Sequence, residues 1–297
     1  MTELLLFIIL IMEIGKGLWY YRSMKEFDFY VVPTPIGNLG DITNRAIEVL
    51  KSVDVIACED SRITQKLLNH FDIKTKCLSY HKFNEKERLE KFLEILKSGK
   101  KMALVSDAGT PLFCDPGSIL VEELIKHNIK ITALPGANAV ATFLSHVPRE
   151  AEDFAFVGFL PKSKTQIENI LEKNKYTDLV FYDSPNRILN TLETFEKYRP
   201  NARVAIGREL TKMFEEIVID DVKNVIDYFK ENILKGEIVG MIFREKSQNV
   251  DFDKILLEEK INILKSKNFK AKEISIIISE LYNVNKNEVY KMVLDAK

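Results

Sequence analysis

The stretch Leu104-Val105-Ser106-Asp107-Ala108-Gly109-Thr110-Pro111-Leu112-Phe113-Cys114-Asp115-Pro116-Gly117 decides how this chain is read. An apolar, strand-like run ends at Ser106, small and turn-forming residues follow, and an apolar periodic stretch begins at Ile119. A buried strand that runs into a Gly/Pro turn and then a helix is where open α/β sheets hold ligands. Two similar turns flank it in sequence, Pro33-Thr34-Pro35-Ile36-Gly37-Asn38 and Leu134-Pro135-Gly136-Ala137-Asn138. With their three strands as neighbours, the turns converge on one crevice.

Working outward, Phe29 to Val32 is β-rich and closed by Pro33, and Asp41 is placed to cap a helix carrying Ile42, Ala46, Ile47, Val49 and Leu50. Val53 to Cys58 is the next strand, and Asp60 or Ser61 caps a helix reaching Phe71. Cys77 to His81 is a weaker strand, Asn84 opens a helix stopped by Ser98-Gly99, and Met102 to Ser106 is the strand beneath the organising turn. Ile119 to Ile125 is helical, Ile129 to Leu134 a strand, and Ala137 to Leu144 is rich in small residues, as a helix packed close on a sheet or ligand would be. This alternation predicts a mostly parallel sheet with helices on both faces, over residues 28–147.

His146 to Asp153 reads as a linker into a second α/β domain, residues 148–248. Its strands are predicted at Phe154 to Leu160, Asp178 to Tyr182, Arg203 to Ile206, Glu216 to Ile219 and Glu237 to Phe243. Ser163-x-x-Gln166 has the form of a capping box. Only one clear helix, Val222 to Leu234, falls among the last three strands, which predicts a mixed sheet. Residues 249–297 form a Lys-, Glu- and Ile-rich helical tail, with a turn at Asn283 to Lys286 that is helix-turn-helix-like. A contact with RNA and packing on its own body fit this tail equally.

At 297 residues the chain is long enough for two cores. Hydrophobic residues at 46% and charged residues at 29% describe a soluble protein, and a formal charge of -1 announces neither a nucleic-acid nor a membrane partner. The apolar run Leu4 to Met12 is too short to span a bilayer, for which about twenty residues are needed. It also lacks the flanks of a signal peptide. Residues 1–27 are expected to lie outside the fold, with a membrane anchor as the alternative. The three cysteines have no metal-ligand spacing. They read as small buried hydrophobes of a reducing cytosol, with Cys114 beside the turn the one candidate for a role of its own.

No Gly-x-Gly-x-x-Gly follows the first strand, and no P-loop, His-Glu-x-x-His or Gly-x-Ser-x-Gly occurs. Dinucleotide, P-loop phosphate, zinc-protease and serine-hydrolase chemistry are therefore unsupported. Backbone groups exposed at the three Gly/Pro turns can still hold a ligand that carries an adenosine and an amino-acid group.

Tyr30 to Asp41, Cys58-Glu59-Asp60-Ser61-Arg62, Ser106 to Leu112 with Asp115-Pro116-Gly117, and Leu134 to Ala139 resemble the bacterial ribosomal small-subunit RNA 2′-O-ribose methyltransferases of the tetrapyrrole methylase superfamily. Phe156 to Pro161, Tyr182 to Arg187, Gly207 to Lys212 and Lys235-Gly236-Glu237 follow in the family order. The resemblance covers about residues 28–246, and the tail is similar to the family's helical C-terminus.

The resemblance implies two α/β domains of the tetrapyrrole methylase type, with S-adenosyl-L-methionine in the cleft between them. It implies methyl transfer to the ribose 2′-oxygen of a decoding-centre cytidine in 16S rRNA, by a cytoplasmic homodimer acting on assembled or nearly assembled small subunits. By position in the family motifs the cofactor meets Pro35, Ile36 and Gly37, then Asp107, Gly109, Thr110 and Phe113, then Asn138 and Ala139, with Tyr182 added from the second domain. Thr110 stands where many tetrapyrrole-methylating relatives carry aspartate, and Asn186 where the family carries histidine.

Displacement at a sulfonium methyl needs alignment and removal of the hydroxyl proton. The candidates for that chemistry are Glu59, Asp60, Arg187, Glu209 and Lys212, with Arg62 and Arg208 as further phosphate-holding cations. For each, a salt bridge or helix cap is the competing role. The rival functions are a methyltransferase of a small tetrapyrrole and a non-catalytic RNA- or ribosome-binding protein on the same fold.

Overall fold

The structure is a computed structural model that describes residues 27–82, 84–150, 153–232, 235–245, 252–282 and 284–295. The apolar N-terminal run and its expected place outside the fold lie outside the described residues.

The first domain has strands β1 (Phe29–Val31), β2 (Val55–Cys58), β3 (Lys76–Ser79), β4 (Met102–Val105) and β5 (Ile131–Ala133). They form one sheet in the order β3-β2-β4-β1-β5, and all pairings are parallel. A parallel sheet is covered on both faces, so its three inner strands β1, β2 and β4 are apolar and buried at every position, while Lys76, Ser79 and Thr132 fall on the edge strands β3 and β5. Tyr30, Ile56, Cys58, Ala103 and Val105 point into a cluster with Ala46, Val49, Leu50 and Leu68. Those last four come from α1 (Asn44–Ser52) and α2 (Ser61–His70). The alternate residues Phe29, Val31, Val55, Ala57, Met102 and Leu104 meet Phe92, Leu96, Leu120 and Leu124. These come from α3 (Glu85–Lys97) and α4 (Ser118–Lys126) on the other face.

The chain passes from β1 to β2 on one side and from β4 to β5 on the other. The order therefore reverses at the β4/β1 seam, and this is where a crevice opens beyond the strand ends.

The second domain contains β6 (Phe154–Phe159), β7 (Asp178–Asp183), β8 (Arg203–Arg208), β9 (Glu216–Asp221) and β10 (Ile238–Ile242) in the order β6-β7-β10-β8-β9. Only β6 and β7 are parallel, so the sheet is mixed, as the spacing of helices predicts. One face is covered by α6 (Lys164–Lys173), α7 (Ile188–Tyr198) and α8 (Val222–Glu231) around Phe181, Leu192, Phe195 and Phe229.

The other face of that sheet is covered by the first domain. Helix α5 (Ala139–His146) puts Val140 and Phe143 against Val180, Ala205, Val239 and Met241. Phe143 is fully buried, and a Cβ on Gly207 would lie 2.7 Å from its ring. The close packing between the domains is thus made by the large residues of this helix, Val140 and Phe143, against a glycine of the second sheet. The tail folds as α9 (Phe252–Ser266), α10 (Ala271–Tyr282) and α11 (Lys286–Asp295), with Leu257, Ile261, Ile274, Ile278, Val289 and Val293 as its core.

Three local expectations are corrected. The cap of α1 is Thr43, whose Oγ1 accepts from Ala46 N at 3.0 Å; Asp41 instead closes a 3-10 turn over Leu39–Asp41, which moves the helix start on. Ser163 stands at the N-cap of α6 without a side-chain hydrogen bond, so the box does not close. Of the cysteines only Cys58 is buried, because Cys77 sits on the edge strand and Cys114 on the exposed turn.

Phe143→Ala opens a cavity in the core shared by the two domains. We expect a loss of about 3–5 kcal/mol in denaturant unfolding, checked against the wild-type curve.

Candidate active site

The turns after β1, β4 and β5 are laced together by hydrogen bonds. Thr34 and Gly109 exchange two backbone bonds of 2.9 Å each, an antiparallel bridge beyond the end of the sheet. The Thr34 hydroxyl donates to Ser106 O at 3.1 Å, and the Ser106 hydroxyl donates to Gly109 O at 3.2 Å. Thr110 Oγ1 donates to Ala137 O at 3.0 Å, which ties the second turn to the third. Asn138 then caps α5 by accepting from Val140 N and Ala141 N.

The turn after β4 is strained. Gly109, Leu112, Cys114 and Gly117 all have positive φ. For Leu112 (φ 66°) and Cys114 (φ 77°) that conformation costs about 1–3 kcal/mol each. A second strained segment faces it, with Glu209 (φ 51°) and Thr211 (φ 66°) after β8. Strain of this kind gathers at ligand clamps.

Between these segments lies a cleft of about 410 Å³, within the range of small-molecule and cofactor sites. Eight of the ten residues proposed for the cofactor line it, seven of them from the first domain: Ile36 from the first turn, Asp107, Gly109, Thr110 and Phe113 from the second, Asn138 and Ala139 from the third. Tyr182 joins them from β7, making the eighth. Pro35 and Gly37 lie outside the lining. A Cβ on Gly37 would meet Lys212 Cγ at 2.4 Å and Thr211 Oγ1 at 2.9 Å, so this glycine lets the β8–β9 loop close down on the first turn.

The proposed catalytic residues separate. Glu59 lines the cleft. Asp60 caps α2 and holds Arg62 at 2.6 Å, which keeps its carboxyl down at about 2. Arg187 is bound to Leu160 O, Pro161 O and Asp183, where it braces the β6 and β7 ends. Glu209 and Lys212 pair at 2.8 Å, and Lys212 also reaches Glu237 at 3.1 Å. Arg208 is held by Glu216.

Three carboxylates outside the sequence-based site also line the cleft, Asp115, Asp183 and Glu237, of which Asp183 is paired with Arg187. Asp115, Glu59 and Asp107 share one end. Burial pushes the Asp115 carboxyl up to about 6, helped by the charges of Glu59 and Asp107 and opposed by a hydrogen bond from Ser106. Burial likewise raises Glu59 and Asp107, each increased further by a neighbouring carboxylate. Asp107 accepts from Asp60 N at 3.0 Å, so its carboxylate is oriented by the β2 turn. Among the described residues no three His, Cys, Asp or Glu side chains converge as a metal ion would require. The signal for Asp115 was its Asp-Pro-Gly turn; nothing local marks the proximity of Glu237.

The sequence model of the tetrapyrrole (corrin/porphyrin) methylases matches residues 28–226. The chain belongs to this family. The methylase is 39% identical over 280 residues to the ribosomal RNA small subunit methyltransferase I of Halalkalibacterium halodurans, covering 92% of this chain and 96% of that one. It is 41% identical to the protein of the same name from Vibrio cholerae, over 90% of this chain and 94% of that one. Among solved structures, diphthine synthase superposes with a TM-score of 0.60 at 14% identity, over 76% of this chain and 93% of that one. Cobalt precorrin-4 methyltransferase gives 0.55 at 16% identity, over 72% and 94%. At these identities the structures bear on the fold alone. A methyl donor is the ligand that a methylase requires, and the cleft is where the three turns converge.

A carboxyl whose folded-state value is raised destabilises the fold once it is ionised, and the penalty disappears as pH falls through that value toward the ordinary aspartate range. Asp115→Asn is therefore expected to raise the melting temperature at about pH 7.5. The gain should shrink below about pH 6 and vanish by about pH 4. Thermal melts of both proteins across that range check it.

Proposed function

We propose that this methylase transfers a methyl group from S-adenosyl-L-methionine to a ribose 2′-hydroxyl of 16S rRNA in the small ribosomal subunit, at a decoding-centre cytidine. Support comes first from relatives named ribosomal RNA small subunit methyltransferase I that match over nearly the whole chain, including 92% of it in one case. The single structural observation behind the chemistry is the cleft in which a carboxylate cluster meets the three laced turns. The same resemblance carries a cytoplasmic homodimer acting on assembled or nearly assembled subunits. Among the described residues no helix is long and apolar enough to cross a membrane.

The residues fit an adenosyl and amino-acid ligand. Gly109 presents backbone at positive φ, with room for a Cβ limited by Ile36 at 3.2 Å. Ile36, Ala139 and Phe113 supply apolar wall, and Asn138 and Thr110 lie beside them with polar groups. These residues, with Asp107 and Tyr182, would hold the donor, which supplies an already activated sulfonium methyl.

The protein has two further tasks, to orient the hydroxyl and to take its proton. Asp115 suits the second. Its carboxyl, raised to about 6, is ionised at neutral pH and still basic enough to accept a proton. Burial holds that value up, with the charges of Glu59 and Asp107 adding to it, and Asp107 is itself fixed by the Asp60 amide. Arg187, Glu209, Lys212 and Asp60 act by bracing the cleft walls through the ion pairs they form.

Purified protein and labelled S-adenosyl-L-methionine should methylate isolated small subunits, with the label mapped to one ribose. Label on a base, or none on RNA while a porphyrinoid accepts methyl, refutes the reading. Asp115→Asn should lower kcat by about 10²–10⁴-fold with donor affinity retained in calorimetry. The wild-type rate should rise with pH through about 6 and level off above it. A pH-independent rate, or an unchanged kcat in the variant, removes Asp115 from the mechanism.

A further inference from the structure

The edge strand β6 carries an irregularity that regular pairing does not require. Phe154, Ala155 and Phe156 pair with Asp178, Leu179 and Val180, and the next pair is Phe159 with Tyr182. β6 thus advances three residues where β7 advances two. In an unbroken ladder, residues 156 and 159 would point to opposite faces of the sheet. The extra residue of the bulge brings both to the face of Tyr182. Gly158 makes the bulge possible with φ +66°, and a Cβ there would lie 3.1 Å from Cys114 Sγ. The bulge is therefore pressed against the strained turn after β4.

Four aromatic rings are ordered as a result. Phe113 stacks on Phe156 across the domain boundary, with centroids 4.7 Å apart and planes 10° apart. Phe156 meets Tyr182 edge-on at 5.1 Å, and Phe159 leans on Tyr182 at 5.4 Å. Phe113, Tyr182 and Phe159 all line the cleft. Phe159 ends the series and is 63% exposed. A lone exposed phenylalanine needs no explanation. This one is aimed at the cleft by a bulge, a left-handed glycine and a contact from the other domain, and the fold gains little burial from it.

We propose that Phe159 is a stacking platform for the unpaired base of the acceptor nucleotide, with Tyr182 holding its ring. This rests on the ribosomal-RNA reading of the site. Sequence-specific RNA recognition commonly takes a splayed-out nucleotide, and a nucleotide that enters the cleft in that way needs a surface for its base to lie against. An aromatic face offers stacking to any base, and single-stranded RNA is commonly held that way. Phe159 has no hydrogen-bonding group, so it governs affinity and placement and leaves base identity to other contacts.

The test is Phe159→Ala beside Phe159→Trp and Phe159→Leu in the full-length protein. Methylation of small subunits gives kcat/KM, and calorimetry gives the S-adenosyl-L-methionine Kd. We expect the alanine variant to lose about ten- to a hundred-fold in kcat/KM, with the donor Kd within about twofold of wild type. Tryptophan should restore activity and leucine should not. Wild-type activity in the alanine variant overturns the proposal, as does a loss confined to donor affinity, or full rescue by leucine. A wild-type protein that transfers no methyl to small subunits overturns the ribosomal-RNA reading and this inference together, an outcome distinct from the others.

Discussion

The two backbone hydrogen bonds between Thr34 and Gly109 are the constraint on which the site depends. They join the chain beyond β1 to the chain beyond β4, at the seam where the strand order reverses. Without them the crevice that this topology opens would be lined by independent loops. Hydroxyl bonds extend the lacing: Thr34 to Ser106 O, Ser106 to Gly109 O, and Thr110 to Ala137 O. Thr34 and Ser106 are buried, so these bonds form in a low-dielectric setting where an unmade partner is costly. The lacing holds a turn that contains Leu112 and Cys114 in left-handed conformations. Gly109 belongs to this logic, since its φ of 79° is the conformation that L side chains resist.

The second domain completes the cleft by covering it. Its sheet is buried on one face by its own helices and on the other by α5 of the first domain, around the fully buried Phe143. Sharing a core in this way fixes the distance between the two halves, because interiors are packed closely and tolerate little shift. Gly207 admits the Phe143 ring and Gly37 admits Lys212, so two glycines set how near the domains approach. The cations around the cleft are held by carboxylates: Lys212 by Glu209 and Glu237, Arg187 by Asp183, Arg208 by Glu216. Glu59, Asp107 and Asp115 line the cleft, where burial raises the proton affinity of each and nearby carboxylates add to it: Asp107 for Glu59, Asp60 for Asp107, and Glu59 with Asp107 for Asp115.

Local patterns carried most of the fold. Parallel strands buried on both faces read as continuous apolar runs, as Val55–Cys58 and Met102–Val105 do. Asp60, weighed with Ser61, announced a helix start because a side-chain acceptor before an apolar period has a direct physical role there. Turn chemistry located the three corners that line the cleft, since Gly and Pro mark places where the backbone must bend. The failures were equally local. Asp41 and Thr43 are both competent caps, and only the 3-10 turn over Leu39–Asp41 decided between them.

The sequence by itself determined the α/β class, the parallel first sheet, the mixed second sheet and the family, because these follow from periodicity and from motifs held at short spacing. Tertiary structure decided which charges remain unpaired. Arg187 with Asp183 and Glu209 with Lys212 are short-range pairs, but the contacts of Lys212 with Glu237 and of Arg187 with Leu160 O span 25 and 27 residues and are invisible to spacing. It also decided that Asp115 is half-buried beside two other acids, and that Phe159 faces the cleft. The first depends on three strands ending together, and the second on one extra residue in an edge strand, which inverts every side chain that follows it.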